Sequence, residues 1–184
     1  MQVSRLDVTY FLHGETTTIF GRICMIKMII ATDRNFGIGI NNSIPWDCPS
    51  DMKYFKEQTI NSTVVMGRKT FESLNCKGGL PNRFNMVVSS SWKYSHGNVV
   101  SKPLDSIISD ICNPIFVDGD DIWVIGGSSI YQQLLPFVEE IHHTIIDGVY
   151  DCDTHFNMNF LEDWELIGGK DLCENAVVNI WRRN

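Results

Sequence analysis

The sequence predicts an α/β protein: a single domain with a mostly parallel twisted sheet, flanking helices and a C-terminal antiparallel strand. Three observations predict it. The short apolar runs Thr63-Val64-Val65-Met66, Phe84 to Val88 and Ile122 to Ile125 each end in glycine or small polar residues, as expected where parallel strands finish along one edge. Helical patterns follow the runs, most clearly Leu104, Ile107, Ile108 and Ile111 after Pro103. The 184 residues, 43% apolar, suffice for one domain with a substantial core and leave little for a second.

In residues 1 to 24, Val8, Tyr10 and Leu12, then His13-Gly14-Glu15, then Thr16, Thr18 and Phe20 alternate as a hairpin would, with a thin apolar face. An added hairpin, a disordered arm and a start assigned too far upstream are equally compatible with it. Ile26, Met28, Ile29, Ile30 and Ala31 suit a strand covered on both faces, which Asp33-Arg34-Asn35 ends. Phe36 to Pro45, rich in Gly and Asn and without a period, is either a mobile loop over a site or an ordinary connection. Asp47 as N-cap and Pro49 in the first turn predict a helix to about Gln58, with Cys48, Met52, Phe55 and Thr59 on one face. Asp51 lies on that face, and Lys53 and Lys56 project elsewhere. It is either a solvated acid favoured by the helix dipole or a carboxylate awaiting a ligand with paired N–H donors.

After Gly67, Arg68-Lys69-Thr70 open another helix, either as a solvated start or as an anion site, and the first glycine of a P-loop is missing. Ser89-Ser90-Ser91 close the second apolar run. Gly126-Gly127-Ser128-Ser129 close the third, followed by the helical pattern Ile130, Leu134, Leu135. Two glycines there make a tight turn, and they also let a flat ring or a pyrophosphate approach the backbone. Cys112 to Asp121 reads as a loop, Glu140 to Val149 as a strand and Asp151 to Asn159 as a polar loop. Trp164 to Ile167 and Ala176 to Trp181 read as a terminal strand pair around Gly168-Gly169. Consecutive strand residues face opposite ways, so His142-His143 predicts one buried, hydrogen-bonded ring and one exposed ring, and no metal pair.

The net charge of −7 disfavours nucleic acid or an anionic membrane as partner. Six cysteines, with no Cys-x-x-Cys and no histidine pair at zinc spacing, indicate neither a disulfide framework nor a metal site and read as reduced cytosolic thiols. No apolar run approaches the roughly 20 residues of a membrane span, and the N-terminus lacks a signal-peptide pattern. A cytoplasmic monomer is expected.

The stretch Ile44-Pro45-Trp46-Asp47-Cys48-Pro49-Ser50-Asp51-Met52-Lys53-Tyr54-Phe55-Lys56, with Gly37-Ile38-Gly39 before it and Val64-Val65-Met66-Gly67-Arg68-Lys69-Thr70-Phe71 after it, resembles dihydrofolate reductase. The resemblance continues in family order through Leu80-Pro81-Asn82-Arg83, Trp123-Val124-Ile125-Gly126-Gly127, Ile130-Tyr131 and Asp153-Thr154-His155-Phe156. It covers Met25 to the C-terminus, so residues 1–24 stand as an extension and 25–184 as the family-like domain.

The resemblance implies reduction of 7,8-dihydrofolate to 5,6,7,8-tetrahydrofolate, with hydride passing from NADPH to C6 and a proton to N5. It makes Asp51 the acceptor of the pterin amino group and N3, with Thr144 supporting it and Trp46 holding an ordered water. Ile29, Ala31, Ile44, Met52, Phe55, Leu74 and Leu80, with Ile125 and Tyr131, would line the folate pocket, although core packing uses the same residue types. Arg83 would take the α-carboxylate of the folate glutamate in a bidentate fork. On the cofactor side it implies Ala31, Ile38, Gly39, Gly67, Arg68, Lys69, Thr70, Ser89, Ser90, Lys102, Ile125, Gly126, Gly127, Ser128, Ser129, Ile130 and Tyr131. Arg68, Ser89, Ser90 and Lys102 suit a 2′-phosphate, and no acid stands where a 2′-hydroxyl would be gripped, which selects NADPH over NADH. The chain departs from the family in Asn75-Cys76-Lys77-Gly78-Gly79, in Asn82 where glycine is usual, and in Ser129 where many relatives carry a cation. The competing readings are a riboflavin-pathway pyrimidine reductase of the same fold, which Asp51 and Arg83 disfavour, and a silent binding protein, which had no need to keep Asp51, Trp46 and the glycine pair.

Overall fold

The computed structural model describes residues 5–12, 15–22, 24–74, 78–112 and 121–184. In chain order these form β1 (Arg5–Leu12), β2 (Glu15–Arg22), β3 (Ile26–Thr32), β4 (Gly37–Gly39), α1 (Pro49–Thr59), β5 (Thr63–Gly67), α2 (Arg68–Ser73), β6 (Phe84–Val88), β7 (Ser95–His96), β8 (Val99–Lys102), α3 (Leu104–Ile111), β9 (Ile122–Val124), α4 (Ser128–Leu134), β10 (Glu140–Ile146), β11 (Thr154–His155), β12 (Trp164–Cys173) and β13 (Ala176–Arg183). The main sheet runs β12-β13-β10-β3-β9-β5-β6-β8-β7. Neighbours from β10 to β8 are parallel, while β13 joins β10, and β12 joins β13, in antiparallel register. Strands β1 and β2 pair with each other as a separate hairpin.

Both faces of the parallel strands are covered, which is why they read as unbroken apolar runs. Met28, Ile30 and Val124 pack on one face with Ile107 of α3 and Ile130 and Leu134 of α4. Ile29, Val64, Met66 and Trp123 pack on the other with Tyr54 of α1 and Phe71 of α2.

Several expectations change. The last strands do not turn at Gly168-Gly169; β12 continues to Cys173 and the turn falls at Glu174-Asn175. A Cβ on Gly169 would sit 2.7 Å from the Val178 carbonyl, so this glycine permits close strand approach rather than a turn. The strand expected to reach Val149 ends at Ile146. The segments read as loops at 36–45 and 151–159 contain β4 and β11, which pair antiparallel. Of the loop expected between Cys112 and Asp121, residues 113–120 lie outside the described residues, as do 75–77.

Helix α1 is capped by Cys48 rather than Asp47, which is exposed. Pro49 stands at the helix start and disfavours helical backbone at the residue before it, here φ −137° and ψ 85°, so that residue becomes the cap. Of the face expected to pack, Cys48 and Thr59 are buried and Phe55 and Asp51 half-buried, whereas Met52 is 54% exposed and Tyr54 is buried instead, so the packed face is shifted toward Tyr54. Both histidines are buried, at 4% for His142 and 3% for His143, because β10 is an interior strand covered on both faces. His143 Nε2 lies 3.0 Å from the Thr32 hydroxyl, and burial pushes its pKa down to about 4.

Candidate active site

The site forms where strand ends meet α1. Residues β10 Thr144 and β3 Ala31 are register partners, and α1 crosses the face on which Ile29 packs, so Asp51, Thr144, Ile29 and Ala31 share one corner. Asp51 is half-buried, and its carboxyl pKa is raised by desolvation, with the Thr144 hydroxyl acting against the shift. That hydroxyl is fully buried, yet it closes no hydrogen bond of standard geometry to Asp51 or to any other described residue. No ion pair to Asp51 is present among the described residues, which leaves a carboxylate partly removed from water with room for donors.

Trp46 is half-buried and packs edge-on against Tyr150, with ring centroids 5.4 Å apart. Ile44 and Met52 are the most open of the expected lining residues, at 56% and 54% exposed. Phe55, Leu74 and Leu80 are partly buried against the α1–α2 core. Arg83 is buried: its Nη1 donates to Thr59 Oγ1 at 3.0 Å, its Nε donates to the Pro81 carbonyl at 3.0 Å, and its guanidinium lies 6.0 Å from the Phe55 ring centre. Asn82 holds the turn before it at φ +55°, a conformation asparagine tolerates.

On the other side, the ends of β9, β5, β6 and β8 bring the remaining residues into line. The N–H of Gly67 donates to the Gly126 carbonyl at 2.7 Å, and that of Ser89 to the Lys102 carbonyl at 2.9 Å. Gly67 and Val88 are register partners, as are Val88 and Lys102, so Arg68, Ser89 and Lys102 stand side by side at three strand ends. Arg68 and Lys69 are exposed, with Arg68 Nε 2.7 Å from Glu72 and its guanidinium 5.7 Å from the Trp92 ring centre. Ser89 Oγ accepts the Trp92 N–H at 3.0 Å, and Ser90 is exposed. The Lys102 ammonium is held by Asp110 at 2.6 Å. Gly126 has φ +107° and its peptide to Gly127 is cis. Ile125, Ile130 and Tyr131 are buried behind the glycines, Thr70 lies 3.3 Å from where a Gly127 Cβ would stand, and Ser129 is exposed with its hydroxyl taken by Gln133 at 2.7 Å. Ile38 and Gly39 belong to β4, which is tied toward α4 through β11, because Ser128 Oγ donates to the His155 carbonyl at 3.0 Å.

Asp33 was legible only as the end of a strand. Its buried carboxylate accepts N–H groups from Asn35 and Gly37 at 2.8 Å and from Tyr150 at 2.9 Å, fixing the entry to β4. Burial alone would raise its pKa, but the three backbone donors outweigh it and the net shift is downward. An aspartate bonding the backbone two residues on is an Asx turn, which Asp33-Arg34-Asn35 could have signalled. Two surface concavities, of about 520 Å³ beside Trp164 and about 600 Å³ beside α3, are lined by neither Asp51 nor the glycine pair.

The dihydrofolate reductase family model matches residues 25–179. The chain belongs to the dihydrofolate reductase family. It is similar to the family's Bacillus subtilis member, 36% identical over 148 residues that cover 79% of this chain and 83% of that one. The Haemophilus influenzae dihydrofolate reductase is 39% identical over 141 residues, covering 76% and 83% of the two chains. Among solved structures, a dihydrofolate reductase from Enterococcus faecalis, complexed with NADP(H) and RAB-propyl, superposes with a TM-score of 0.77 at 29% identity over 87% of this chain and 96% of that one. The described hairpin β1–β2 precedes the residues that the family model matches.

Proposed function

We infer that this chain reduces 7,8-dihydrofolate to 5,6,7,8-tetrahydrofolate with NADPH, transferring hydride to C6 and a proton to N5. The observation that carries the reading is Asp51: a partly desolvated carboxyl on α1, facing the buried Thr144 hydroxyl at the end of the sheet. A carboxylate in that state gains most from a ligand that brings two parallel N–H donors, as the pterin amino group and N3 do. Holding those donors draws electron density toward the ring and favours protonation at N5, with Trp46 placed to hold the water that delivers it. Ile29, Ala31, Ile44, Met52, Phe55, Leu74 and Leu80 flank the pterin and benzoyl rings. Arg83, already oriented by Thr59 and Pro81, takes the glutamate carboxylate.

The strand ends fit the cofactor. Gly126 and Gly127 leave backbone open to the nicotinamide and pyrophosphate, and Ile38 and Gly39 approach from β4. NADPH supplies the hydride; the chain aligns the rings and excludes water. Arg68, Ser89 and Ser90 read the 2′-phosphate. Lys102, whose ammonium is paired with Asp110, stands beside them. Among the described residues no helix is long and apolar enough to cross a membrane. The same reading has residues 25–184 acting as a cytoplasmic monomer, without a nucleic-acid partner, in keeping with the net charge of −7. Loss of absorbance at 340 nm with dihydrofolate and NADPH tests it, and a purified, folded chain that oxidises no NADPH in the presence of dihydrofolate overturns it.

A further inference from the structure

Helix α1 meets β10 at two adjacent points. His142 and Thr144 are two residues apart on the strand and face the same side of the sheet, toward α1. Tyr54 follows Asp51 by three residues and lies on the same side of the helix one turn on. Tyr54 Oη stands 2.7 Å from His142 Nδ1, whereas the Thr144 hydroxyl beside Asp51 closes no hydrogen bond of standard geometry among the described residues. A short polar contact at Tyr54 thus ties the helix to the sheet one turn from Asp51.

The imidazole is fixed from behind. His142 Nε2 lies 3.1 Å from Glu140 Oε1. Burial would raise the Glu140 pKa, but hydrogen bonds from His142, Arg182 and Lys27 hold it down at about 2, so the carboxylate is ionised. An ionised acceptor at Nε2 holds a proton on that nitrogen, which leaves Nδ1 to accept from the Tyr54 hydroxyl. Lys27 Nζ at 3.0 Å and Arg182 Nη2 at 2.9 Å balance the Glu140 charge, and Lys27 also reaches Asp121 at 2.9 Å. From β9 the Trp123 ring meets the imidazole edge-on at 4.8 Å, and from β12 Lys170 Nζ lies 4.9 Å from the centre of the Tyr54 ring. Burial, with Glu140 and Asp51 nearby, pushes the Tyr54 pKa up to about 12, so the phenol keeps the proton it donates.

We propose that Tyr54, His142 and Glu140 are positioning residues for the pterin reduction, a buried chain of hydrogen bonds that fixes where α1 presents the Asp51 carboxylate. The proposal rests on the reading of Asp51 as the pterin-binding acid. Thr144 offers the acid a hydroxyl, and the short Tyr54 contact holds the helix that carries the acid.

The test uses the full chain with ¹³C-labelled aspartate carboxyls. Tyr54→Phe removes one oxygen and keeps the ring. His142→Leu removes the acceptor, and His142→Asn places an amide oxygen near the position of Nδ1. Tyr54→Phe and His142→Leu are expected to slow single-turnover hydride transfer by roughly tenfold to a hundredfold, with NADPH affinity unchanged, as for a small displacement of a reacting group. His142→Asn is expected to recover most of that loss. In the ligand-free proteins, the Asp51 carboxyl should titrate nearer the ordinary carboxylate range in Tyr54→Phe than in wild type, because a helix freed at Tyr54 lets water reach it. A wild-type hydride-transfer rate in Tyr54→Phe, an Asn variant as slow as the Leu variant, or an unmoved Asp51 titration overturns the proposal. Should His142→Leu not fold, Tyr54→Phe carries the test alone. Wild-type protein that fails to reduce dihydrofolate would sink the functional reading instead, and the Asp51 titration would still decide whether Tyr54 positions the acid.

Discussion

Tyr131 donates its hydroxyl to the Ile29 carbonyl across 2.8 Å, pinning α4 to the middle of β3. The ring is buried and packs against Phe156 with centroids 5.3 Å apart. Gly126 lies against that ring.

Gly126→Ala is therefore expected to be costly. Its Cβ would stand 3.1 Å from the Tyr131 ring at a residue with φ +107°, where an L side chain is strained. A loss of about 1 to 3 kcal/mol in urea unfolding is expected, with a larger loss in NADPH affinity than in dihydrofolate affinity. Full stability and full cofactor binding in this variant would mean that the turn relaxes freely.

Asp51→Asn separates the two readings of the acid. A carboxyl whose folded pKa is raised keeps its proton in the native state while the unfolded chain has already lost it, so native stability falls as pH rises from the ordinary carboxylate pKa through the raised one. The amide has no such dependence. Wild type and variant should be equally stable in acid, and the variant equal or more stable at neutral pH, while hydride transfer falls by roughly a hundredfold to ten-thousandfold. The catalytic loss should shrink at low pH, where solvent can protonate N5. A destabilised but active variant would return Asp51 to the role of a surface acid.

Arg68→Ala tests the cofactor end. Its pairing with Glu72 is exposed and contributes about 0 to 1 kcal/mol at most, so melting should hardly move. NADPH binding should weaken far more than NADH binding, since a 2′-phosphate is needed for the charge-assisted contact. Equal losses for both cofactors would remove Arg68 from phosphate recognition.

Arg83→Leu should raise the dihydrofolate KM by an amount worth about 2 to 4 kcal/mol while leaving NADPH affinity alone. It also strips Thr59 and the Pro81 carbonyl of a donor, so a modest drop in stability should accompany it. An unchanged KM would exclude Arg83 from the folate site.

Truncation to Met25 addresses the extension. Because among the described residues β1 and β2 pair only with each other, the shortened chain should melt within about 2 °C of the full one and turn over at the same rate. A fall of many degrees would make the extension part of the core.

The sequence was informative where a residue's role follows from its own neighbourhood. Strands β3, β5, β6 and β9 were legible because burial on both faces demands continuous apolar residues, and Arg68, Ser89 and Gly126 because they follow strand ends. Asp51 was legible as an acid on a helix without a local cation. That both rings of His142-His143 are buried was not, since they sit in a strand whose inner position no local pattern reveals, and Tyr54, the hydrogen-bond partner of His142, lies 88 residues away. Gly168-Gly169 misled for a similar reason: a glycine pair looks like a turn until the carbonyl of Val178 is seen against it.

The long outer strand β12 has one further consequence. An edge strand of ten residues offers unpaired backbone on which another chain could extend the sheet. Here the ladder with β13 slips twice, between Leu166 and Gly168 and between Asp171 and Cys173, and Glu165, Lys170 and Asp171 place charges of both signs along the rim. A rim so broken and charged is a poor template for growth, which guards against edge-to-edge aggregation.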